Sequence, residues 1–201
     1  MKPYLPRPLL LLLLLGACGP LVQIGGNTPA PASLLTLSAT TPPAPYSGPV
    51  AASTTIGIET PVVPLVLQTL RLPVATSAGE VTYLAGAAWA EQPNRQFQRL
   101  LADTLAGKGI AVIEPRQARM PPARSLTGTL RDFGLDVSNP AAPVVRVRYD
   151  AQVSGSRAAS TVLLRRFDVA EPVVDLTPVT VAAALNRAAN TVAVQVADWV
   201  G

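Results

Sequence analysis

The clearest pattern in the chain is an alternation of apolar and polar side chains between residues 145 and 153. Valine, tyrosine or alanine stands at every odd position, and arginine, aspartate or glutamine at every even one. A period of two places successive side chains on opposite faces of an extended chain. We therefore predict a half-buried strand, with residues 154–160 as a turn and residues 161–169 as the partner strand.

Two other segments carry the period of a helix. After Pro93, which suits a first helical turn, apolar residues recur at spacings of three and four until Gly107 and Gly109. The residues of this stripe are Phe97, Leu100, Leu101 and Leu105. Glycine is favoured just past the end of a helix, so we predict one amphipathic helix here that faces a core.

A second helix is predicted at the C-terminal end of the sequence. Thr177 suits the N-cap and Pro178 the first turn, and an apolar stripe continues nearly to Trp199. We place three polar residues mostly on the opposite side: Arg187, Asn190 and Asp198. A helix this broadly apolar packs deeply on a sheet or contacts another subunit. We favour core packing.

Shorter apolar runs complete the set of predicted elements. Residues 34–37 are predicted as an edge strand, followed by a proline-rich loop over residues 41–49. Further strands are predicted at 54–58, 70–74, 80–84, 110–113 and 126–137. In the last of these the apolar positions change parity near Arg131 and Asp132, which predicts a β-bulge. Strands in hairpins with two separated helices indicate a single α+β domain. We expect a mixed or antiparallel sheet with both amphipathic helices packed on one face.

The first 18 residues have the layout of a signal peptide. Lys2 and Arg7 precede an unbroken leucine run that is too short to span a membrane and that ends at Gly16-Ala17-Cys18. The alternative is an ordinary secretory signal that happens to contain a cysteine. The sequence Leu15-Gly16-Ala17-Cys18 resembles the bacterial lipobox, which implies cleavage after residue 17 and acylation of Cys18 with chains such as palmitate. We expect a signal peptide (1–17), a lipidated cysteine with a flexible tether (18–32) and one domain (33–201).

The lipobox resemblance also suggests a location. In that family an aspartate after the cysteine retains the protein in the inner membrane, and here the residue is Gly19. We therefore expect an outer-membrane lipid anchor that faces the periplasm.

Composition excludes several classes of chemistry. Removing Lys2 and Arg7 from the 16 basic residues leaves 14, against 12 acidic residues, so the mature chain is nearly neutral and no nucleic-acid partner is expected. Histidine is absent and Cys18 is the sole cysteine, so no Ser-His-Asp or Cys-His triad and no Cys/His zinc site can form. A carboxylate site for a hard cation stays open but unsupported. No phosphate-binding loop is present, and we expect no cofactor.

Two groups of residues are candidates for function. Paired carboxylates carry out glycoside hydrolysis, and the candidates are Glu114, Asp132, Asp136, Asp150 and Asp168. We favour solvated strand positions for them, because Asp150 alternates with the apolar residues of its strand. Trp89, Trp199 and Tyr83 are candidate anchors, either for the core or for a partner, since large aromatic rings bury much apolar area.

The order of several segments resembles a known family. The segments are Leu72-Pro73-Val74, Tyr83-Leu84, Trp89-Ala90-Glu91-Gln92-Pro93, Leu101-Ala102-Asp103-Thr104-Leu105, Leu126-Thr127-Gly128-Thr129-Leu130 and Ala184-Leu185-Asn186-Arg187-Ala188. With the lipobox before them, they resemble the ABC-type transport auxiliary lipoproteins, the outer-membrane component of MCE-type lipid transport systems.

This resemblance implies a non-enzymatic protein that assists the transport of lipid or other hydrophobic molecules. It implies an MCE-domain protein and an ABC permease and ATPase as partners, with homo-oligomers in some relatives. Two alternatives stay open: a structural or assembly lipoprotein of the envelope unrelated to transport, and a small hydrolase that uses carboxylates alone.

Overall fold

One mixed sheet organises the domain, which a computed structural model describes for residues 33–43, 48–114, 121–155 and 162–201. The predicted signal peptide (1–17) and the predicted lipidated Cys18 with its tether (18–32) lie outside these described residues. The strands of the sheet are β1 (Ile56–Ile58), β2 (Arg71–Ser77), β3 (Glu80–Ala88), β4 (Val112–Ile113), β5 (Arg124–Asp136), β6 (Val144–Gly155) and β7 (Val162–Pro172).

Strand β5 is the centre of the sheet. One edge of β5 pairs with β6, antiparallel over its whole length, and β6 pairs with β7 in the same way. The other edge is shared: β1 runs parallel to β5 at Arg124 to Leu126, and β2 runs parallel to it at Leu135 and Asp136. β4 flanks β1 and β3 flanks β2. The predicted mixed sheet is confirmed.

The alternating pattern of β6 decides which face of the sheet is buried. All five odd positions from Val145 to Val153 are buried, and the register pairs them with apolar residues of β5. The pairing of β5 with β6 shifts by one residue between Leu130 and Asp132. The predicted bulge is confirmed, and it returns Phe133 and Leu135 to the buried face.

Both helices cover that buried face. α1 (Pro93–Gly107) buries the whole predicted stripe, and α2 (Pro178–Val200) begins with the Thr177 hydroxyl accepting from the Thr180 N–H. The helices pack on each other, α2 also packs on β6 and β7, and α1 packs beside β1. The α+β fold with two helices on one face is confirmed.

Two predictions are corrected by the path of the chain near the N-terminal end of the domain. Residues 34–37 do not form a strand, because only Leu35 finds a backbone partner, in a single parallel bridge with Trp89. Asn190, predicted on the polar side of α2, is 5% exposed. The reason is the same for both. Residues 35–41, which we call the strap, leave the sheet and pack against α1 and α2.

Side-chain amides of the helices hold the strap in place. The backbone N–H of Leu37 donates to Gln96 Oε1 of α1 at 2.8 Å, and that of Ser38 donates to Asn186 Oδ1 of α2 at 2.9 Å. Asn190 is the third amide. It accepts from the Thr40 N–H at 2.8 Å and donates to the Ser38 carbonyl at 2.9 Å.

Candidate interaction surfaces

The three candidate aromatic residues lie in three different places. Trp89 is 1% exposed at the end of β3, with its ring centroid 5.4 Å from that of Phe133. Trp199, near the end of α2, is half-buried and packs edge-on against Phe167 of β7 at 5.8 Å. Tyr83 is half-buried on β3, with the Arg71 guanidinium 4.1 Å from its ring centroid. The three rings therefore do not converge on one site.

The indole of Trp89 has an unusual feature. Its Nε1 is buried and has no hydrogen-bond partner among the described residues. An unpaired buried donor carries a desolvation cost of about 1–3 kcal/mol. The apolar contacts of the ring, including the one with Phe133, offset that cost.

The aspartates of β5, β6 and β7 lie on the outer face of the sheet, away from the helices, in a network with arginines. Cross-strand register places Asp150 opposite Arg166, and Arg148 opposite both Asp168 and Asp132. The closest nitrogen–oxygen distances are 2.6 Å for Arg166–Asp150, 2.8 Å for Arg131–Asp150, 2.8 Å for Arg148–Asp168, 3.0 Å for Arg148–Asp132, 3.2 Å for Arg146–Asp168 and 3.9 Å for Arg146–Asp136.

This network opposes acid–base catalysis. Hydrogen bonds from Arg166 and Arg131 lower the pKa of Asp150 to about 2, and the Ser138 hydroxyl lowers the pKa of Asp136. A catalytic acid of the glycosidase type needs a carboxyl whose pKa is raised. Asp150 and Asp136 are instead held ionised by these hydrogen bonds, so neither has the raised pKa that the paired-carboxylate hypothesis requires.

The other carboxyl groups do not restore that hypothesis. Glu114 lines a separate polar depression with Glu59 and Arg99, away from the aspartate network. Burial raises the pKa of Asp103 on α1, but Arg99 acts on it in the opposite direction. Among the described residues, no group of three or more acidic side chains could hold a metal ion.

An apolar crevice lies where β1 and β2 share the edge of β5. Beyond the end of β1, Val62 forms an isolated bridge with Thr129 of β5, and the pairing of β2 with β5 begins only at Leu135. The edge of β5 is therefore open around the bulge. The crevice there has a volume of about 110 Å³. Its apolar lining comes from Val66, Leu67, Pro73, Ala75, Val81, Phe133 and Leu135. Arg131 and Arg146 also line it.

Two exposed apolar groups lie at opposite ends of β7. Val162, Leu163 and Leu164 begin the strand, and Leu164 is 73% exposed. Val174, Leu176 and Val179 follow the strand and enter α2, and Val174 is 97% exposed. At about 3.3 Å per residue of strand, the two groups are separated by roughly 30 Å. The described part of β7 pairs with β6 on one side only, so its other edge is available for pairing.

Comparison with known proteins decides the family. A family model described as the ABC-type transport auxiliary lipoprotein component matches residues 35–197. The chain belongs to this family. The matched region begins at the residue of the strap that bridges to Trp89 and ends in the last turn of α2. The resemblance found from the sequence is therefore confirmed, and the chain is an auxiliary lipoprotein of ABC-type transport.

Solved structures show the same fold. The crystal structure of protein XCC0632 from Xanthomonas campestris, of family DUF330, superimposes with a TM-score of 0.71 at 21% identity, covering 84% of this chain and 94% of that chain. The crystal structure of an uncharacterized protein gives a TM-score of 0.63 at 13% identity, covering 74% and 93% respectively. At these identities the likeness concerns the fold alone. No curated protein sequence matches this chain significantly.

Family membership agrees with the geometry. The family model spans all seven strands, α1 and α2 up to its last turn, and the described outer face of the sheet consists of paired aspartates and arginines. None of the helices in the described ranges is long and apolar enough to cross a membrane.

Sequence reasoning missed the strap and the exposed apolar end of β7. Asn186 and Asn190, four residues apart on a helix rich in small apolar residues, were the available signal for the strap. For Val174 and Leu176 the available signal was a short segment between Pro172 and Pro178 with no strand or helix period, and for Val179 it was a position off the apolar stripe of α2.

Proposed function

We propose that this auxiliary lipoprotein serves an MCE-type ABC system that moves lipid or other hydrophobic molecules between the membranes of the envelope. The match to the auxiliary lipoprotein family over residues 35–197 carries the proposal. The role is non-enzymatic: the protein links an MCE-domain protein, and through it an ABC permease and ATPase, to the membrane that holds its anchor.

The anchor is the second part of the proposal. Residues 1–17 are removed, Cys18 is acylated, and residues 18–32 tether the domain to the outer membrane on its periplasmic side. Support comes from the lipobox resemblance at Leu15 to Cys18 and from Gly19 in place of an aspartate. Two or three buried acyl chains give stable attachment, since each methylene contributes about 0.8 kcal/mol. Cys18→Ser should leave an unprocessed, non-acylated precursor, and normal membrane fractionation of that variant would contradict this part.

The free edge of β7 is the surface we assign to the MCE-domain partner. An exposed strand edge offers backbone donors and acceptors for strand addition, and alternate side chains give the contact its selectivity. Leu164 and its neighbours supply exposed apolar area at the start of that strand. A second copy of this chain is the other occupant that could pair with this edge.

The experiment is crosslinking in intact cells from a photoreactive residue at Leu164, followed by capture on a C-terminal tag. The matched control carries the same residue at Leu65, a leucine that is 82% exposed between β1 and β2, on the opposite side of β5 from β7. We expect an MCE-domain protein or permease to be captured from Leu164 and not from Leu65. Capture of this chain alone would assign the edge to self-association. Capture only of cell-wall or outer-membrane assembly proteins would replace transport with the structural alternative.

A further inference from the structure

The point where the tether joins the domain can be located from hydrogen bonds. The Leu35 N–H donates to the Ala88 carbonyl at 2.7 Å, and the Ala90 N–H donates to the Leu35 carbonyl at 2.9 Å. The bridge is parallel. Traced back from Leu35 to Ser33, the chain therefore heads in the direction in which β3 is traced back from Trp89.

The strap gives the same direction independently. Ser38 bonds to Asn186 and Thr40 bonds to Asn190, so the strap runs parallel to α2. Traced back toward Leu34, it therefore heads for the N-terminal end of α2. That end lies against β3, because a Cβ built on Gly86 would be 3.9 Å from Pro178 Cγ.

The exposed apolar residues after β7 lie at this same corner of the domain. Val174 and Leu176 belong to the segment that leads into Pro178, and Val179 follows it in the first turn of α2. Leu34 of the incoming chain is itself 58% exposed. Single exposed apolar side chains are ordinary, but a group of them marks an interaction site. We call Leu34, Val174, Leu176 and Val179 the exit corner.

The one acidic side chain within the segment 173–179 is engaged locally. Asp175 accepts hydrogen bonds from the Thr177 N–H and the Thr180 hydroxyl, which lower its pKa. The carboxylate is thus directed at the first turn of α2. Its charge is partly balanced by the helix N-terminus, which favours negative groups.

We propose that the exit corner rests in the interfacial layer of the phospholipid bilayer to which the protein is anchored. This inference rests on the proposed acylation of Cys18. Fourteen residues lie between Cys18 and Ser33, and a coil of that length has an end-to-end distance of about 20 Å. The corner is held near the bilayer by this short connection, and apolar side chains gain free energy on entering the boundary between headgroups and acyl chains.

The orientation that follows agrees with the docking edge proposed above. With the exit corner at the bilayer, β7 leads away from the membrane toward Leu164. The membrane contact and the contact with the transport partner are then at opposite ends of one strand.

The test uses the full acylated protein with one added thiol. Because the Cys18 sulfur is consumed as a thioether, Val179→Cys provides a single free thiol for an environment-sensitive nitrobenzoxadiazole label. Leu164→Cys is the matched control, since the exposed fractions are 74% for Val179 and 73% for Leu164. Each labelled protein is reconstituted into phosphatidylethanolamine–phosphatidylglycerol vesicles, with flotation to show attachment.

We expect the label at residue 179 to shift its emission to the blue and to be quenched by doxyl-labelled lipids, and the label at residue 164 to show neither effect. Val174→Cys should repeat the result for residue 179. Equal, water-like emission from both labels on floated protein would overturn the exit corner while leaving the anchor intact. Failure to float, with a second reactive thiol, would overturn the anchor and this inference together. A blue shift that depends on protein concentration without vesicles would assign the corner to a second copy instead.

Discussion

Removing the Asn190 amide should release the strap without unfolding the domain. In the parent protein the Thr40 N–H donates to Asn190 Oδ1 at 2.8 Å, and Asn190 Nδ2 donates to the Ser38 carbonyl at 2.9 Å. Asn190→Ala removes both bonds. Both bonds are partly buried, and an unpaired group of this kind costs about 1 kcal/mol. The two together amount to about 2 kcal/mol, or roughly 30-fold in the equilibrium between attached and detached strap.

Hydrogen exchange followed by mass spectrometry measures this directly. Peptides that cover residues 35–41 should exchange roughly 30-fold faster in Asn190→Ala, because local opening exposes their amides. Peptides from β5 and β6 should change far less, since the core residues of the sheet keep their packing.

The control is Thr191→Ala on the same helix. Thr191 is exposed and its hydroxyl donates to the Arg187 carbonyl, so the variant loses a side-chain hydrogen bond but none with the strap. Unchanged exchange rates of residues 35–41 in Asn190→Ala would show that the Asn190 amide does not hold the strap. An equal increase of these rates in Thr191→Ala, or a uniform increase over the whole chain, would show the same.

Three further predictions concern stability. Asp150→Asn should destabilise the protein at neutral pH, because the ionised Asp150 carboxylate stabilises the folded state. Its pKa is lowered from 3.8 to about 2 on folding, so its contribution to the free energy of unfolding is complete above pH 3.8 and is lost as the pH falls through about 2. Urea unfolding curves of variant and parent should converge over that range. Gly134→Ala should lower the free energy of unfolding by about 1–3 kcal/mol, because the new Cβ would lie 2.5 Å from the Pro73 carbonyl oxygen. Gly79→Ala, which has open space around the new Cβ, should leave it nearly unchanged in the same assay. Phe97→Ala should cost about 3–5 kcal/mol in thermal or chemical unfolding, because its fully buried ring would leave a cavity; a cost below about 1 kcal/mol would contradict this core assignment.

Local periodicity explains why several elements could be predicted from the sequence. The strict alternation of β6 and the change of parity at Arg131 and Asp132 are consequences of which face each side chain must occupy. The spacing of three and four in α1, and the Thr177-Pro178 start of α2, are equally local. Each of these elements is decided by a few neighbouring residues, so a short window of sequence is enough to predict it.

The sharing of the β5 edge could not be predicted in the same way. β1 and β2 pair in parallel with β5 across some 60 residues of chain, and parallel pairing between distant segments leaves no local pattern. The strap was missed for a related reason. Its backbone groups bond to side-chain amides such as Gln96 rather than to a strand, and an apolar run such as Leu34 to Leu37 does not reveal which partner its backbone will find.

The candidate site was predicted mainly through what the composition excludes. Because the chain has no histidine and Cys18 is its sole cysteine, it lacks imidazole, the usual general base near neutral pH, and cannot form a Cys/His zinc site or a Ser-His-Asp triad. The alternation around Asp150 also indicated a solvated face, and the arginine network accounts for it. The exit corner depends on the path of the chain around Leu35, which only the fold supplies.

The binding of this lipoprotein to an MCE-domain protein, which we propose, is measured most directly as equilibrium binding between the two purified proteins. The full acylated lipoprotein would be held in a lipid nanodisc and titrated with the MCE-domain protein of the same cell. We expect saturable binding that is weakened by a charged residue at Leu164 and unchanged by one at Leu65. Absence of binding by the folded, acylated protein would contradict this proposal. Binding of the same affinity with either substitution, and with or without the nanodisc, would contradict it as well.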